Sequence, residues 1–188
     1  MKRTMATSQG SAWMVYDENI VPLFHTDRRA GNRYNKLMHK RIVIGSDHAG
    51  YALKEILRNH CMENGIDVLD EGTFSEDPVD YPVIGKKVVG VMLSEKIPGV
   101  FLGGSGLGEA MVGNKIPGIR AARCATPEDA ELTRKHNDAN MLCLGGRTID
   151  AEEAKKTLDA FLSTAFEGGR HEQRVQQMHE LDGYPYGN

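Results

Sequence analysis

The sequence predicts an α/β fold in which helices cover both faces of a parallel β-sheet. Five short apolar runs alternate with amphipathic segments from about residue 40 onward, and this alternation is typical of strand–helix–strand units. The chain has 188 residues, of which 40% are hydrophobic. One compact domain with a sizeable core is therefore expected, together with some additional chain.

Each predicted strand is a short β-branched or apolar run that ends at glycine or turn residues. The predicted strands are residues 41–45, 66–69, 99–102, 118–122 and 141–145. Amphipathic spacing predicts helices over residues 51–64 and 81–93, a third ending at residue 114, and three more that begin at about residues 126, 150 and 171. The start at Thr126 is well marked, because Thr126 can cap the helix and Pro127 suits its first turn.

Residues 1–39 show no persistent helical or strand period, and they mix aromatic residues with a basic, polar stretch. We therefore divide the chain into an N-terminal extension of unknown role, residues 1–39, and a folded domain, residues 40–188. The extension could be an arm that packs on a neighbouring molecule or a leader of artificial origin.

The composition argues against several partners and compartments. The formal net charge is −3, which gives no reason to expect nucleic acid or an anionic membrane as a partner. No apolar run approaches the roughly 20 residues that span a bilayer, and the N-terminus lacks a secretory pattern. Cys61, Cys124 and Cys143 form no C-x-x-C pair, so we expect buried thiols and a cytoplasmic protein.

A glycine-rich segment lies where a parallel sheet would bind a ligand, beyond the carboxyl end of a strand. Residues 103–108, GGSGLG, leave the third strand and enter a helix, so their N–H groups can approach an anion closely. The dinucleotide pattern fails because Glu109 stands at its last position. The P-loop pattern fails because Asn114 stands where lysine is required. A tight turn without a ligand is the plain alternative.

Glu109 follows this segment in the first turn of the helix. The helix dipole would lower the pKa of a carboxyl group there, whereas burial would raise it. One interpretation is a general base that removes a proton from a carbon beside a carbonyl group, as a glutamate does in triosephosphate isomerase. The other interpretation is an acidic helix start without chemistry.

Three further polar groups are candidates for substrate binding. Asp47 and His48 follow the first strand, His136 ends a helix, and Arg170 and Arg174 lie four residues apart on one helical face that suits a phosphate. Each group also has an explanation without a ligand. Asp47 and His48 could be a hydrogen-bonded structural pair, His136 could cap its helix, and the two arginines could lie on a solvent-exposed basic face. None of them has H-x-x-x-H or H-E-x-x-H spacing, so no metal site is expected.

Seven motifs, taken in order, resemble the type B ribose-5-phosphate isomerases, whose superfamily includes galactose-6-phosphate isomerase subunits. The motifs are GSDHAG (45–50), DYP (80–82), GGSGLGE (103–109), NKIPGIR (114–120), HNDAN (136–140), GGR (145–147) and GRHEQR (169–174). The resemblance runs from about Lys40 to about Leu181, which makes residues 40–188 a sugar-phosphate isomerase domain. It implies a Rossmann-like three-layer α/β/α domain with a five-stranded parallel sheet. It also implies a C-terminal helix that reaches a partner subunit, and a homodimer or tetramer with shared active sites.

The resemblance also implies roles for individual residues and needs no cofactor. At the glycine-rich loop, Glu109 would be the catalytic base and Ser105 would assist proton movement. The backbone N–H groups of Gly104, Ser105, Gly106, Leu107 and Gly108 would stabilise the developing oxyanion. Asp47 and His48 would contact the sugar or its phosphate, and Tyr81 would line the pocket. His136, together with Asp47, would open the sugar ring, with Asn137 beside it. Those that bind phosphate are Arg147, Arg170, His171 and Arg174, some of them across the dimer.

The chain departs from many members of this family at one position. Where they carry a catalytic cysteine, this chain has Gly103, and Glu109 supplies the base, as in the glutamate-base branch. The expected reaction interconverts ribose 5-phosphate and ribulose 5-phosphate through an enediolate, as part of the pentose phosphate pathway of carbohydrate metabolism. Isomerisation of a tetrose phosphate or galactose 6-phosphate, and non-catalytic binding of a sugar phosphate, stay open as alternatives.

Overall fold

A five-stranded parallel sheet lies at the centre of residues 39–182, which are the residues that the computed structural model describes. The strands are β1 (Arg41–Ser46), β2 (Asp67–Asp70), β3 (Gly99–Gly103), β4 (Ala121–Arg123) and β5 (Met141–Gly145), in the spatial order β2-β1-β3-β5-β4. The helices are α1 (Tyr51–Glu63), α2 (Tyr81–Glu95), α3 (Leu107–Gly113), α4 (Pro127–Asn137), α5 (Ala151–Ser163) and α6 (Arg170–Glu180). The predicted extension lies outside the described residues, apart from its last residue.

Two hydrophobic clusters, one on each face of the sheet, confirm the predicted three layers. On one face, side chains of α1 and α5 such as Leu57 and Phe161 pack against Ile44 and Leu102. On the other face, side chains of α2 pack against β1, β3 and β5. All residues of β3 and β5 are buried, as expected for central strands of a parallel sheet. The three cysteines are free and buried, as predicted.

The helix ends follow the local signals in the sequence. Thr126 and Asp129 form a reciprocal capping box at the start of α4, and Asp150 accepts a hydrogen bond from the N–H of Glu153 at the start of α5. These caps satisfy main-chain donors that a helix start otherwise leaves unpaired. They explain why both helices begin where the sequence predicts.

The predicted fourth strand begins three residues too early. Gly118 has a φ of 81°, and the N–H of Ile119 donates to the carbonyl of Ile116 in a turn. These residues therefore cannot join the β4 ladder, and pairing with β5 begins at Ala121. The apolar composition of residues 118–122 hid a turn that only the backbone conformation reveals.

A buried ion network shapes the segment between α4 and β5. Asp138 ends α4 in the left-handed conformation, and its carboxylate binds Arg134 at 3.0 Å and Arg120 at 2.9 Å. All three side chains are nearly inaccessible to solvent. Asp138 therefore holds the HNDAN motif in place, and that segment carries His136 at the end of the helix.

The chain changes sides of the sheet between β1 and β3. Helix α1, which follows β1, lies on one face, whereas α3, which follows β3, packs with α2 on the other face. In parallel sheets the crevice at such a switch point, beyond the carboxyl ends of the strands, is the usual ligand site. Within residues 39–182, no helix is long and apolar enough to cross a membrane.

Candidate active site

The loops that follow β1 and β3 meet at this switch point and carry the predicted catalytic loop. Main-chain hydrogen bonds join them, since the N–H of Asp47 donates to the carbonyl of Leu102 at 3.0 Å. The loop after β5 adds a third wall, where the N–H of Gly146 donates to the carbonyl of Gly103 at 2.7 Å. These bonds bring the loops after β1, β3 and β5 together at the carboxyl edge of the sheet.

Glu109 is buried at the centre of this crevice, with 3% of its surface exposed. Its carboxylate occupies the space above Gly103, where a Cβ atom would lie 2.9 Å from Oε2 and still closer to Oε1 and Cδ. Burial and then the negative charge of Asp47 raise the pKa of Glu109, and main-chain hydrogen bonds at Glu109 and Gly106 act in the opposite direction. A carboxyl group with a raised pKa is suited to proton transfer near neutral pH.

Asp47 and His48 are fixed by the main chain around them. Asp47 Oδ1 accepts hydrogen bonds from the N–H groups of Ala49 (2.8 Å) and Gly50 (2.9 Å). This oxygen of the carboxylate therefore stabilises the turn that leads into α1. His48 Nδ1 accepts from the N–H of Val79 at 3.3 Å. That bond favours the tautomer with a proton on Nε2, which leaves His48 as a donor toward the crevice.

The glycine-rich loop is braced from several sides. Gly106 has a φ of 77°, which starts α3 in a conformation that favours glycine. Tyr81 packs on the loop, because a Cβ at Gly108 would lie 3.0 Å from its ring. The N–H of Arg147 donates to the carbonyl of Gly104 at 3.1 Å, which sets its guanidinium beside the loop. Ser105 Oγ accepts from the N–H of the residue two positions later.

Arg123, the last residue of β4, contacts this loop, although it was not among the predicted site residues. Its Nε donates to the carbonyl of Ser105 at 3.3 Å, and its Nη2 donates to Thr148 Oγ1 at 3.2 Å. The guanidinium therefore ties the glycine-rich loop to the loop after β5. The only signal in the sequence was the position of Arg123 directly after the predicted fourth strand, residues 118–122.

A second group of predicted residues lies at the opposite edge of the sheet. Helix α4 runs back from the carboxyl edge, and the residues after it reach the amino ends of the strands, where Asn140 accepts a hydrogen bond from the N–H of Gly99. His136 and Asn137 are in the last turn of α4. Helix α6 packs on α4 and brings Arg170, His171 and Arg174 to this group.

His136 and His171 stack in this second group, with ring centroids 4.4 Å apart and planes inclined by 12°. Burial first, and then the neighbouring His136 and the two arginines of α6, lower the pKa of His171. Glu167, which the sequence analysis missed, lies 4.0 Å from His136 Nε2 and 3.9 Å from His171 Nε2. Two imidazoles and a carboxylate are a donor set that can hold a transition metal.

A cleft of about 430 Å³ opens beside the second group, between α4, α6 and β4. Its polar wall is already hydrogen-bonded, since Arg120 Nη1 lies 3.0 Å from His179 Nε2. We place the chemistry in the crevice at Glu109 instead, because the carboxylate with the raised pKa and the glycine-rich loop lie there.

The structure thus divides the predicted site residues between two places. The group at the carboxyl edge comprises Asp47, His48, Tyr81, Gly104, Ser105, Gly106, Leu107, Gly108, Glu109 and Arg147. The group at the amino edge comprises His136, Asn137, Arg170, His171 and Arg174. The individual catalytic and binding roles stay predictions.

Comparisons of this chain with known proteins match sugar isomerases. A family model described as Ribose/Galactose Isomerase matches residues 42–178. Ribose-5-phosphate isomerase B of Escherichia coli (strain K12) is 40% identical over 144 residues, which are 76% of this chain and 97% of that protein. The crystal structure of a ribose 5-phosphate isomerase from Thermotoga maritima is 50% identical with a TM-score of 0.74, and the match covers 76% of this chain and 99% of that chain. A ribose-5-phosphate isomerase B from Mycoplasma genitalium, solved with bound ribulose 5-phosphate, is 33% identical with a TM-score of 0.73 and coverage of 77% and 97%.

A parallel sheet covered by helices on both faces, with a glycine-rich loop at its switch point, is typical of α/β enzymes that bind small ligands there. The chain belongs to the ribose/galactose isomerase family. It is an aldose–ketose isomerase, and the sequence prediction of family and fold is confirmed.

Proposed function

We propose that this chain interconverts ribose 5-phosphate and ribulose 5-phosphate, with Glu109 as the base. The observation that carries the proposal is the carboxylate of Glu109, buried above Gly103 with a raised pKa at the carboxyl edge of the sheet. The ionised carboxylate removes the proton from C2 of the open aldose. It then returns that proton to C1, which produces the ketose.

The glycine-rich loop holds the negative charge of the enediolate between these two proton transfers. The main-chain N–H groups of Gly104, Ser105 and Gly108 can donate to O1 as it becomes negative, whereas the N–H of Leu107 already donates to Ser105 Oγ. One such donor contributes on the order of 3 kcal/mol in known oxyanion sites. Ser105 moves the hydroxyl proton between O2 and O1. The guanidinium of Arg147 and the Nε2–H of His48 bind the phosphate and hydroxyl groups. The scheme requires no cofactor and no metal.

The proposal includes a homodimer, because one chain cannot bring both groups of residues to one pentose phosphate. Helix α4 has 11 residues, which corresponds to roughly 16 Å between the two edges of the sheet. In a symmetric pair, the amino-edge group of one chain can face the carboxyl edge of the other, which creates two equal sites. His136 of one chain then opens the ring, and Arg170, His171 and Arg174 bind the phosphate.

Replacement of Glu109 by glutamine tests the chemistry. Glu109→Gln keeps the shape of the side chain and removes the base, so kcat should fall about 10²- to 10⁴-fold while ribose 5-phosphate still binds. Glu152→Gln, at an exposed position of α5, is the matched control and should keep full activity. Unchanged turnover in Glu109→Gln would refute the assignment. Galactose 6-phosphate and a tetrose phosphate, assayed beside ribose 5-phosphate, decide between substrates.

Mixing two inactive variants tests the shared site. If Glu109 and His136 act from different chains, a mixed dimer of Glu109→Gln and His136→Asn chains has one site with both defects and one intact site. Random exchange makes half of the dimers mixed, so about one quarter of the wild-type activity should return. Failure to recover activity after verified subunit exchange would show that each site belongs to a single chain.

A further inference from the structure

Glu167 meets two histidines at the amino edge of the sheet, and the proposed reaction gives it no role. It lies between α5 and α6, whereas His136 belongs to α4 and His171 to α6. One possible ligand atom from each residue lies within 4.8 Å of the other two. Three different parts of the chain therefore bring nitrogen and oxygen donors close together.

The main chain fixes the positions of these three residues. The N–H of Glu167 donates to the carbonyl of Lys135 at 3.1 Å, which ties the segment before α6 to the last turn of α4. The N–H of His171 donates to the carbonyl of Gly168 at 3.1 Å. Because both bonds involve only the backbone, the side chains of Glu167 and His171 keep their own donors and acceptors.

His171 Nε2 is unprotonated, and in the present arrangement its lone pair accepts a hydrogen bond from Arg170. Arg170 Nε donates to His171 Nε2 at 3.3 Å, so this nitrogen carries a lone pair. The imidazole is buried, with 5% of its surface exposed, and its lowered pKa favours the neutral form that binds metals. Glu167 Oε2 lies 3.9 Å from the same nitrogen.

We propose that His136 Nε2, His171 Nε2 and a carboxylate oxygen of Glu167 form a binding site for Zn²⁺ or a similar divalent transition metal. Two imidazoles and one carboxylate match the ligand preference of these ions and not that of Mg²⁺ or Ca²⁺. A water molecule would complete a tetrahedral site, as in zinc sites with three protein ligands.

A ring rotation and short displacements separate the present arrangement from that geometry. The stacked imidazoles of His136 and His171 are nearly parallel, so one ring must turn before both Nε2 lone pairs point at the ion. Metal–ligand bonds of about 2.0–2.2 Å place neighbouring tetrahedral ligands about 3.3 Å apart. The separations of 4.0 Å and 3.9 Å must therefore shorten by about 0.7 Å and about 0.6 Å, and the two histidine nitrogens, which lie within 4.8 Å of each other, must reach the same spacing. The side chains of Glu167 and His136 are 54% and 36% exposed and can make this adjustment. The exposed guanidinium of Arg170 must turn away from His171.

The charge around the cluster sets the expected strength of binding. Arg170 and Arg174 are positive and lie on the same helix as His171, so they oppose a dication, and only Glu167 offsets them within the cluster. We therefore expect binding in the micromolar range rather than the very tight binding of structural zinc sites. Bound metal would occupy the lone pair of His136 and inhibit ring opening. This last consequence rests on the proposed function.

Direct binding is measured first, on the full chain after treatment with chelator. Zn²⁺ is titrated in competition with a chromophoric chelator, and the result is read as a difference between variants because the chain has seven histidines. Loss of a residue that only supports a metal ligand costs about 10- to 100-fold in metal affinity. Glu167→Gln, which removes a direct carboxylate ligand, should therefore weaken one binding event by at least that factor, and His171→Ala should remove it. Glu152→Gln, which changes the charge equally at a distant exposed position, should bind as the wild type does. Equal Zn²⁺ affinity in the wild type, Glu167→Gln and His171→Ala would overturn the proposal.

Activity is measured separately, so that the metal site and the proposed reaction can fail independently. Micromolar Zn²⁺ should inhibit the wild-type enzyme, a chelator should reverse the inhibition, and Glu167→Gln should need at least tenfold more Zn²⁺ for the same inhibition. Zn²⁺ binding that depends on Glu167 but leaves the turnover unchanged would support the metal site and refute the role of His136. Full activity without any Zn²⁺ binding at the cluster would refute the metal site alone.

Discussion

Replacing Gly103 by alanine should abolish most of the activity while it leaves the fold intact. Even the most distant carboxylate atom of Glu109, Oε2, lies 2.9 Å from the position of the new Cβ, whereas ordinary contacts begin at about 3.4 Å. The carboxylate must therefore retreat by on the order of 1 Å, and a misplacement of that size can cost about 100-fold in rate. We expect kcat/KM to fall about 100-fold, which corresponds to ~2.7 kcal/mol of transition-state stabilisation.

The same substitution should have a small effect on stability, because the obstructing atoms belong to the end of a side chain and not to the backbone. Gly90→Ala is the matched control. No atom lies within 4 Å of a Cβ at Gly90 in α2, so this variant should keep full activity and gain up to ~1 kcal/mol from helix propensity. Steady-state kinetics and thermal unfolding of both variants provide the comparison. Wild-type kcat/KM in Gly103→Ala would refute the view that the carboxylate must occupy this space.

Three more predictions concern the surroundings of the site. Asp138→Asn should destabilise the fold by about 3–5 kcal/mol, because it removes the carboxylate that pairs directly with two buried guanidinium groups. In denaturant unfolding, the exposed control Asp67→Asn should cost less than about 1 kcal/mol. Because the pKa of Glu109 is raised, activity should fall as the pH decreases through a pKa that is higher than that of an ordinary glutamate side chain. Asp47→Asn removes a negative charge that raises the pKa of Glu109, so it should move the acidic limb of the kcat/KM profile to lower pH. An unchanged limb would contradict this effect of Asp47 on Glu109. Arg123→Met should lower kcat more than it changes KM, because it loosens the glycine-rich loop without removing a group that contacts the substrate; an unchanged kcat would count against that bracing.

Local patterns in the sequence were sufficient to predict most of the fold. The apolar runs and helical spacing identified every described strand and helix, since a parallel sheet buried on both faces produces continuous apolar strands. The error at β4 arose because Ile119 and its neighbours are apolar, while the positive φ of Gly118 is a property of the backbone that composition does not encode.

The candidate site was only partly predictable, because its decisive features depend on distances between elements. Glu109 was predicted at the ligand edge because it follows the third predicted strand, but the sequence gives no indication that its carboxylate fills the space above Gly103. Arg123 and Glu167 were missed for the same reason, since each acts through a partner that is remote in the chain. The motif containing His136 was recognised, although its position at the other edge of the sheet follows only from the direction of α4.

Gly103 and Glu109 depend on each other, because the carboxylate of Glu109 fills the space that a side chain at position 103 would occupy. A carboxylate acts as a base only if it is close enough to the carbon and basic enough to hold the proton during the reaction. Burial above Gly103 supplies both conditions, since it fixes the position and raises the pKa. Full burial without donors would leave the group protonated at neutral pH and therefore inactive. The main-chain hydrogen bonds at Gly106 and Glu109 limit that rise, so the loop proposed to stabilise the enediolate also keeps its base ionisable.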